Sequence, residues 1–388
     1  MDIKILNFTM DKVYRDSLKL HKKFHGKLEV KSKVPIKNKK DLSLAYTPGV
    51  AEVCRAIAKD KNLAKEYTIK KNTVAVVSDG SAILGLGNLG PEAALPVMEG
   101  KAILFKEFAG VDAFPICLDT QDTEEIIKAV KYLAPVFGGI NLEDISAPRC
   151  FVIEARLKKE LSIPVMHDDQ HGTAVVVLAA MINALKLKKL SKARAKVVIS
   201  GAGAAGTAVA KMLIRYGFKN VFVCDSKGLI YIGRKDLNQP KTELARLTGI
   251  TANGGITLKD VLKNADVFIG VSGPNIIGRA EVKTMNSRPV ILALANPTPE
   301  IMPEEALAGG AYIVATGRSD FPNQINNVLA FPGIFRGALD NHATQITDQM
   351  LVKAAENLAK YVKNLTPENI LPNPLDKGVV KVVAGAIR

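Results

Sequence analysis

A strand, a glycine-rich turn, a helix and a second strand follow one another over residues 196–225, and this run constrains the fold most. Lys196 to Ser200 predicts a strand, and Val221 to Cys224 predicts another that ends in Asp225, 19 residues past the last glycine of the turn. Glycines in this order let the backbone approach a pyrophosphate at the helix N-terminus, and the acid binds the ribose hydroxyls. The run predicts a Rossmann-type unit whose dinucleotide contacts are Gly201, Gly203, Ala204, Ala205, Gly206 and Asp225.

The acid that ends the second strand bears on the choice of dinucleotide. Asp225 favours NAD over NADP, because a 2′-phosphate would meet its negative charge. Ser226 and Lys227 follow directly and soften that preference. We therefore expect NAD or NADP as cofactor, with a lean towards NAD.

Strand and helix patterns alternate on both sides of this unit, which predicts an α/β protein. Later strands end near polar residues, among them Ser272 and Asn296, which we include in the cofactor contacts. We expect an N-terminal α/β substrate domain over residues 1–170. A C-terminal Rossmann-type domain with a doubly wound parallel sheet and a helical tail should take residues 171–388.

The length of 388 residues suits two such domains, and 47% hydrophobic with 23% charged residues is typical of a folded globular protein. No apolar run approaches the length needed to span a bilayer, and the N-terminus lacks an apolar signal core. Four widely spaced cysteines with no C-x-x-C pair suggest reduced, mostly buried thiols, so we expect a cytoplasmic protein without a membrane partner.

The formal net charge is +15, and residues 1–40 hold 12 Lys/Arg against 4 Asp/Glu. A basic segment of this kind can bind nucleic acid. Arginine and aromatic residues are scarce there, however, and nucleic-acid motifs are lacking. We therefore predict a solvated lysine-rich face and no nucleic-acid partner.

Two acidic pairs follow short apolar runs and suggest a metal site. Asp168 and Asp169 come after Ile163 to Met166, before Gly172 and a helical segment from Thr173, and Glu143 and Asp144 follow Gly139-Ile140. Together they offer the oxygen ligands that Mg²⁺ or Mn²⁺ prefers. His167 and His171 have the spacing of the zinc motif H-E-x-x-H, but Asp168 replaces its Glu and the strand pattern runs up to His167, so we set that alternative aside.

Two features of the first half suggest cleft residues. Gly85, Gly87 and Gly90 fit G-x-G-x-x-G, but the loop starts several residues after its strand and lacks a partner acid, so we expect at most an anion cradle. Lys101 stands at the mouth of an apolar run, at a predicted strand edge. Partial burial there would lower its pKa and make it a plausible base.

Several motifs, in order along nearly the whole chain, resemble the malic enzymes in their short prokaryotic form. They are A-Y-T-P-G-V-A (45–51), V-S-D-G-S-A-I-L-G-L-G-N-L-G (77–90), P-V-M-E-G-K (96–101), N-L-E-D-I (141–145), H-D-D-Q-H-G-T-A (167–174), A-N-P-T-P-E (295–300) and N-Q-I-N-N-V-L-A-F-P-G (323–333).

The resemblance implies oxidative decarboxylation of L-malate to pyruvate and CO₂ with NAD(P)⁺ and Mg²⁺ or Mn²⁺. It implies that Tyr46 is the general acid and Lys101 the general base, with Asp168 beside the reacting hydroxyl. Metal ligands and substrate contacts carry over from the same motifs: Glu143, Asp144 and Asp169 for the metal, and Asn296 with one of Asn326 and Asn327 for the substrate. Enzymes of this build are commonly homodimers or higher homo-oligomers.

One departure and two alternatives accompany the resemblance. In the long eukaryotic form an arginine that grips the substrate stands at the position of Ala82, so carboxylate recognition here must use other groups. A malolactic enzyme would use similar motifs but release lactate without net reduction of NAD. A non-catalytic NAD-binding or nucleic-acid-binding protein would have no need of both acidic pairs and the lysine.

Overall fold

The computed structural model describes residues 3–388, with side-chain environments from residue 12 onward. The prediction that the N-terminus lacks an apolar signal core concerns residues that lie partly outside the described ones. The strands are β1 (Thr73–Ser78), β2 (Asp112–Cys117), β3 (Gly139–Leu142), β4 (Val165–His167), β5 (Lys196–Ser200), β6 (Asn220–Asp225), β7 (Gly228–Leu229), β8 (Val267–Gly270), β9 (Val290–Ala293) and β10 (Ile313–Thr316).

Helices connect these strands and precede them in the N-terminal segment. They are α1 (Ile3–Phe24), α2 (Lys39–Ala45), α3 (Val50–Lys59), α4 (Ala64–Tyr67), α5 (Pro91–Ala109), α6 (Thr123–Leu133), α7 (Arg149–Glu160), α8 (Asp168–Lys188), α9 (Ala204–Tyr216), α10 (Gln239–Thr248), α11 (Leu258–Leu262), α12 (Arg279–Lys283), α13 (Pro303–Ala308), α14 (Phe331–Asp340), α15 (Asp348–Tyr361) and α16 (Gly378–Ala384), with 3₁₀ turns at Lys61–Leu63, Ile69–Asn72 and Asn327–Leu329.

The described strands form two sheets, which confirms the α/β class. The first has the order β2-β1-β3-β4 and is parallel throughout. The second has the order β10-β9-β8-β5-β6-β7 and is parallel except for β7, which pairs antiparallel to β6. The chain leaves β5 for β6 on one side and returns to β8 on the other, which is the strand reversal of a doubly wound sheet.

Helix α8 joins the two sheets and is largely buried. Its run from Ala174 to Ala180 has no exposed side chain and packs into one core with β5, α9 and α15. It is long and apolar enough to cross a membrane, contrary to the expectation of no such run, but 72% of its apolar window is buried inside the protein. A core helix has this character.

The C-terminal segment returns to the first sheet. Phe331 and Phe335 of α14 pack edge-on against Phe105 of α5, with ring centroids 4.8 and 5.4 Å away. Such pairs are favourable aromatic geometry. The chain thus ties its two halves together, and the predicted boundary at residue 170 falls inside α8, which begins at Asp168.

Two local predictions were wrong. Lys101 lies inside α5 and not at a strand edge, on a buried stripe that includes Ala94, Met98 and Phe105. Gly172 does not break the chain before a helix, because α8 already begins at Asp168 and continues through it. The four cysteines are free, but only Cys150 and Cys224 are buried.

Candidate active site

Lys101 is the centre of a buried charged cluster. Its Nζ lies 2.6 Å from Asp168 Oδ2 and 2.9 Å from Glu143 Oε1, and 4.1 Å from the centroid of the Phe331 ring. Helix α5 provides the lysine, the end of β3 provides Glu143, and the first residue of α8 provides Asp168. The parallel strands end at the same edge of the sheet, which is why residues distant in sequence meet here.

The pKa of Lys101 is shifted upwards, opposite to the lowering expected from burial. Burial alone would lower the pKa, but the carboxylates of Asp168 and Glu143 outweigh burial and raise the pKa above its ordinary value. The expectation of a lowered pKa was therefore wrong for this arrangement, because it considered burial without the two acidic partners.

Three carboxylates beside the lysine are arranged for a cation. Each of Glu143, Asp144 and Asp169 offers an oxygen, and these oxygens lie within 4.8 Å of one another. Burial raises the pKa of Glu143 to about 7, with a further contribution from Asp169. Burial and the neighbouring acids raise the pKa of Asp144 to about 9, and burial with Asp168 raises that of Asp169 to about 6.

Asp144 Oδ2 is buried without a hydrogen-bond partner among the described residues. A hard divalent cation would satisfy this orphaned oxygen and relieve the repulsion among the three acids. The residues therefore fit Mg²⁺ or Mn²⁺. Of the two histidines of the rejected zinc motif, His171 hydrogen-bonds to Glu154. His167 Nε2 lies 3.5 Å from Asp169 Oδ2, and neither of its ring nitrogens has a hydrogen-bond partner among the described residues.

The two adjacent asparagines have different surroundings. The Asn327 amide donates to Asp168, which brings it into the cluster. The Asn326 side chain instead accepts from the backbone N–H of Val328 at 2.9 Å and begins a 3₁₀ turn. Of the pair, Asn327 is the one that contacts the cluster. Asn296 is exposed, and its backbone oxygen closely approaches Gly85 of the glycine-rich loop.

Ala82, at the position where the long eukaryotic form has an arginine, contacts the site through its backbone. Its N–H donates to the Asp144 carbonyl at 2.9 Å and so ties the start of the glycine-rich loop to one of the three clustered carboxylate residues. Tyr46 is not brought into the cluster. It ends α2 with 66% of its surface exposed, and among the described residues it has no hydrogen bond or ion pair to Lys101, Glu143 or Asp168.

Four of the eight predicted dinucleotide contacts line a cavity of about 690 Å³, whose wall also includes residues of the first half of the chain. Gly201 has φ +116° and approaches Val271, and a Cβ on Gly206 would lie 1.9 Å from the Gly201 carbonyl oxygen, so both positions need glycine. Helix α9 begins at Ala204 and Ala205 with its N-terminus at this turn. Members of the predicted set on the cavity wall are Gly201, Gly203, Asp225 and Ser272.

Asp225 forms ion pairs with two basic side chains, neither of which was predicted from the sequence. Its carboxylate lies 2.9 Å from Arg234 Nη2 and 2.6 Å from Lys241 Nζ. Burial alone would raise the pKa of Asp225, but Lys241 and Arg234 lower it. The negative charge that favoured NAD is thus offset within the protein itself.

Ala147, Pro148 and Phe151 of the first half line this same cavity, three to seven residues beyond Asp144. Residues that follow Glu143 and Asp144 closely in the chain therefore share a cavity with Gly201 and Gly203. Ser272 contributes to its wall and shares a 3.2 Å hydrogen bond with Ser200 at the end of β5.

Glu154 supports the cluster from α7 and was missed in the sequence. It accepts from the backbone N–H of His167 at 3.1 Å, from Gln170 at 3.0 Å, and from His171, and Lys158 pairs with it at 2.7 Å. A signal existed, because Glu154 shares its buried helical stripe with Cys150, Ile153 and Leu157. A charged residue on such a stripe implies buried partners.

Comparison with known proteins identifies two matching families. The family described as "Malic enzyme, NAD binding domain" matches residues 170–383, and "Malic enzyme, N-terminal domain" matches 25–125 and 120–158. A Bacillus subtilis protein named bifunctional malic/malolactic enzyme is 58% identical over 96% of this chain and 91% of its own length.

Two further relatives differ in their named cofactor. A Rhizobium meliloti NADP-dependent malic enzyme is 51% identical over 89% of this chain, which spans 45% of that longer protein. The crystal structure of NAD-dependent malic enzyme from Thermotoga maritima superposes with a TM-score of 0.92 at 52% identity, covering 95% of this chain and 98% of that one.

Proposed function

The chain belongs to the malic enzyme family of NAD(P)-dependent oxidoreductases, and from this we propose that it oxidatively decarboxylates L-malate to pyruvate and CO₂ with reduction of NAD(P)⁺ and a requirement for a divalent cation. The observation that carries the proposal is the lysine–carboxylate cluster of Lys101, Asp168 and Glu143 beside a three-carboxylate site. Ala147, Pro148 and Phe151, which follow Glu143 in the chain, line the same cavity as Gly201 and Gly203 of the dinucleotide-binding turn.

In this proposal Lys101 removes the proton of the malate C2 hydroxyl. It is the buried amine of the cluster, and Asp168 orients it from 2.6 Å. Lys101 loses the attraction of Glu143 when that carboxylate ligates a cation, so its pKa falls towards the range in which a base operates. Asn327, bonded to Asp168, is positioned to donate to a substrate carboxylate.

Glu143, Asp144 and Asp169 would hold the cation. The chemistry supplied by the bound groups is hydride acceptance by the nicotinamide and polarisation of the C2 oxygen by the cation. Loss of CO₂ then leaves a carbon that needs a proton at C3, and Tyr46 is the residue we assign to donate it, on its family motif alone. We also propose that the working unit is a symmetric homodimer.

The experiment is a malate assay with NAD⁺ and NADP⁺ in parallel, with and without Mn²⁺. We expect reduced cofactor and pyruvate in equal amounts, dependent on the cation. Failure to form either product with both cofactors and Mn²⁺ would refute the proposed function.

A second activity has specific support. The B. subtilis relative is named bifunctional malic/malolactic enzyme, so lactate is the product to look for beside pyruvate. Lactate without net cofactor reduction in the same assay would assign this chain the malolactic reaction instead.

A further inference from the structure

Glu300 has a fully buried carboxylate without a basic partner in the described chain. It ends the motif A-N-P-T-P-E after β9 and was not among the predicted site residues. None of its surface is exposed, and its described hydrogen bonds come from backbone N–H groups. Burial raises the pKa of this carboxyl group above its ordinary value, so the position costs free energy that an apolar side chain would not. A buried acid of this kind is a candidate for a functional role.

The Glu300 carboxylate joins the loops that follow two neighbouring strands. Its Oε1 accepts from the Ser272 N–H at 2.9 Å, and its Oε2 accepts from the Ala295 N–H at 3.0 Å. Ser272 lies just past the end of β8, and Ala295 lies just past the end of β9. A Cβ on Gly270, the last residue of β8, would lie 2.3 Å from Glu300 Cδ, so glycine there makes room for the carboxylate. Glu300 therefore sets the spacing of two loops at the carboxyl edge of the sheet.

Two main-chain hydrogen bonds reinforce this connection between the loops. The Asn275 N–H donates to the Pro299 carbonyl at 3.1 Å. The Ile277 N–H donates to the Glu300 carbonyl at 3.3 Å. Ile276, between the two donors, lines the cavity that holds the predicted dinucleotide contacts. The end of the motif thus fixes a stretch of the cavity wall through both its side chain and its backbone.

Both loops carry residues of the predicted site. Ser272 lines the dinucleotide cavity, and Asn296, a predicted cofactor and substrate contact, directly follows Ala295. A Rossmann-type sheet has two mononucleotide-binding halves, and the dinucleotide lies across the point where the strand order reverses. The Gly201–Gly206 turn and Asp225 belong to the β5–β6 half, which takes the adenosine. The loops after β8 and β9 are therefore on the side of the nicotinamide.

We propose that Glu300 is a positioning residue for hydride transfer, because it holds Ser272 and Asn296 at the separation that places the nicotinamide ring against the hydroxy-acid. This inference rests on the proposed function. In the step concerned, the malate C2–H bond breaks, its electron pair and hydrogen pass to nicotinamide C4, and the hydroxyl proton passes to Lys101. Malate is thereby oxidised and NAD(P)⁺ reduced. Glu300 itself touches neither reactant.

Glu300→Gln tests the role, since glutamine keeps the shape but turns an NH₂ donor towards one of the two backbone donors. We expect kcat to fall about 10²-fold, because a displacement of about 1 Å costs that order of rate. The primary isotope effect measured with malate deuterated at C2 should rise, because hydride transfer becomes the slow step. A variant that merely folds less well would lose kcat with an unchanged isotope effect, and that result would contradict the inference.

Asp266→Asn is the matched control at the opposite edge of the same sheet. Asp266 is also buried and accepts from a backbone N–H, that of Lys196 at 3.0 Å, at the start of β5. We expect its isotope effect to match that of the wild type, although urea unfolding should show a loss of stability. Gly270→Ala is a second variant of the site, because its Cβ displaces the Glu300 carboxylate, and it should reproduce the changes of Glu300→Gln. Equal isotope effects in all three variants would overturn the inference.

A binding measurement keeps the test independent of malate turnover. ADP-ribose shares the adenosine and both phosphates with NAD⁺ but lacks the nicotinamide. In isothermal titration calorimetry we expect Glu300→Gln to weaken NAD⁺ binding about tenfold and ADP-ribose binding by less than about twofold. Equal weakening of both ligands, or of neither, would overturn the inference. A wild type that binds NAD⁺ without turning over malate would refute the proposed function, and the comparison of the two ligands would still decide whether Glu300 positions the nicotinamide.

Discussion

Lys101 combines burial, two carboxylate partners and contact with an aromatic ring in one side chain. Lys106, one and a half turns further along α5, is exposed and pairs with Asp112 at 2.7 Å. The two lysines share a helix but not an environment, so they form a matched pair for testing the base.

We expect Lys101→Ala to lower kcat by roughly 10³-fold, because a positioned base contributes that order of acceleration. NAD⁺ affinity should be unchanged, since the dinucleotide turn lies on the other sheet. Steady-state malate kinetics and isothermal titration calorimetry with NAD⁺ provide the two readouts. Lys106→Ala should behave as wild type, and equal loss in both variants would remove the base role from Lys101.

Lys241 and Arg234 pair with Asp225, at the predicted ribose end of the dinucleotide site, and would meet a 2′-phosphate there. We expect Lys241→Ala to lower kcat/KM for NADP⁺ about tenfold more than for NAD⁺, because a 2′-phosphate loses a charged hydrogen bond that NAD⁺ never makes. The exposed neighbour Lys235→Ala is the control. Equal effects on both cofactors would show that Lys241 only holds Asp225.

At the residue scale, motif residues were predictable but several of their partners were not. Spacing and motif identified Glu143, Asp144, Asp168 and Asp169. The direction of the Lys101 pKa shift was missed because it depends on charges 42 and 67 residues away, which no local pattern encodes. Arg234 and Lys241 were missed for the same reason.

The first turn of α8 carries Asp168 and Asp169, two acids of the predicted site, and α7 packs against it. Glu154 binds the His167 N–H, Gln170 and His171, so it fixes where the strand becomes the helix. Burial alone would raise the pKa of Glu154, but His171 and Lys158 hold it well below its ordinary value.

We expect Glu154→Gln to destabilise the fold by about 2 kcal/mol at neutral pH through weakened charged hydrogen bonds. A carboxyl group with a depressed folded pKa stabilises above its unfolded pKa of about 4.3 and loses this contribution as pH falls. The difference from wild type in urea unfolding should therefore be constant from about pH 6 to 8 and shrink below about pH 4. The exposed Glu368→Gln should show neither effect, and a pH-independent difference would contradict the assignment.

Strand β5 was predicted residue for residue, because a β-branched run between polar residues and a glycine turn has few alternatives. The stretch around Lys101 was assigned to a strand edge because a short apolar run fits either structure. The helical spacing of Ala94, Met98, Lys101 and Phe105 was available, and a lysine on that stripe broke the apolar pattern.

The three-carboxylate site affects the stability of the whole chain. In the absence of a cation, Glu143, Asp144 and Asp169 have pKa values raised to about 7, 9 and 6. Acids with raised folded pKa values stabilise the fold at low pH and lose that contribution as pH rises through those values. A cation bound at this site would therefore compete with protons for the same oxygens.

We expect Mn²⁺ to raise Tm more at about pH 9 than at about pH 6, because more of the ligand oxygens are free of protons at the higher pH. Differential scanning calorimetry with and without Mn²⁺ measures this. Asp169→Ala should reduce the Mn²⁺ effect sharply, and the exposed Asp119→Ala should keep it. An Asp169→Ala protein with an unchanged response would remove Asp169 from the ligand set.

The two-sheet architecture was predictable because the dinucleotide fingerprint and the strand–helix alternation are local signals. The return of α14 to α5 through Phe331 and Phe105 was not, because such long-range aromatic pairing leaves no periodic trace. The same limit applies to the surroundings of Tyr46, which its motif does not describe.

Helix α8 is continuous, with Asp168 and Asp169 in its first turn. The rest of the helix is buried in the core of the nucleotide-binding half. A change in the tilt of that half would move Asp168 and Asp169 with it, which would couple the predicted cation site to the predicted dinucleotide site. Thermodynamic linkage makes such coupling reciprocal, so each ligand would change the affinity of the other by the same factor.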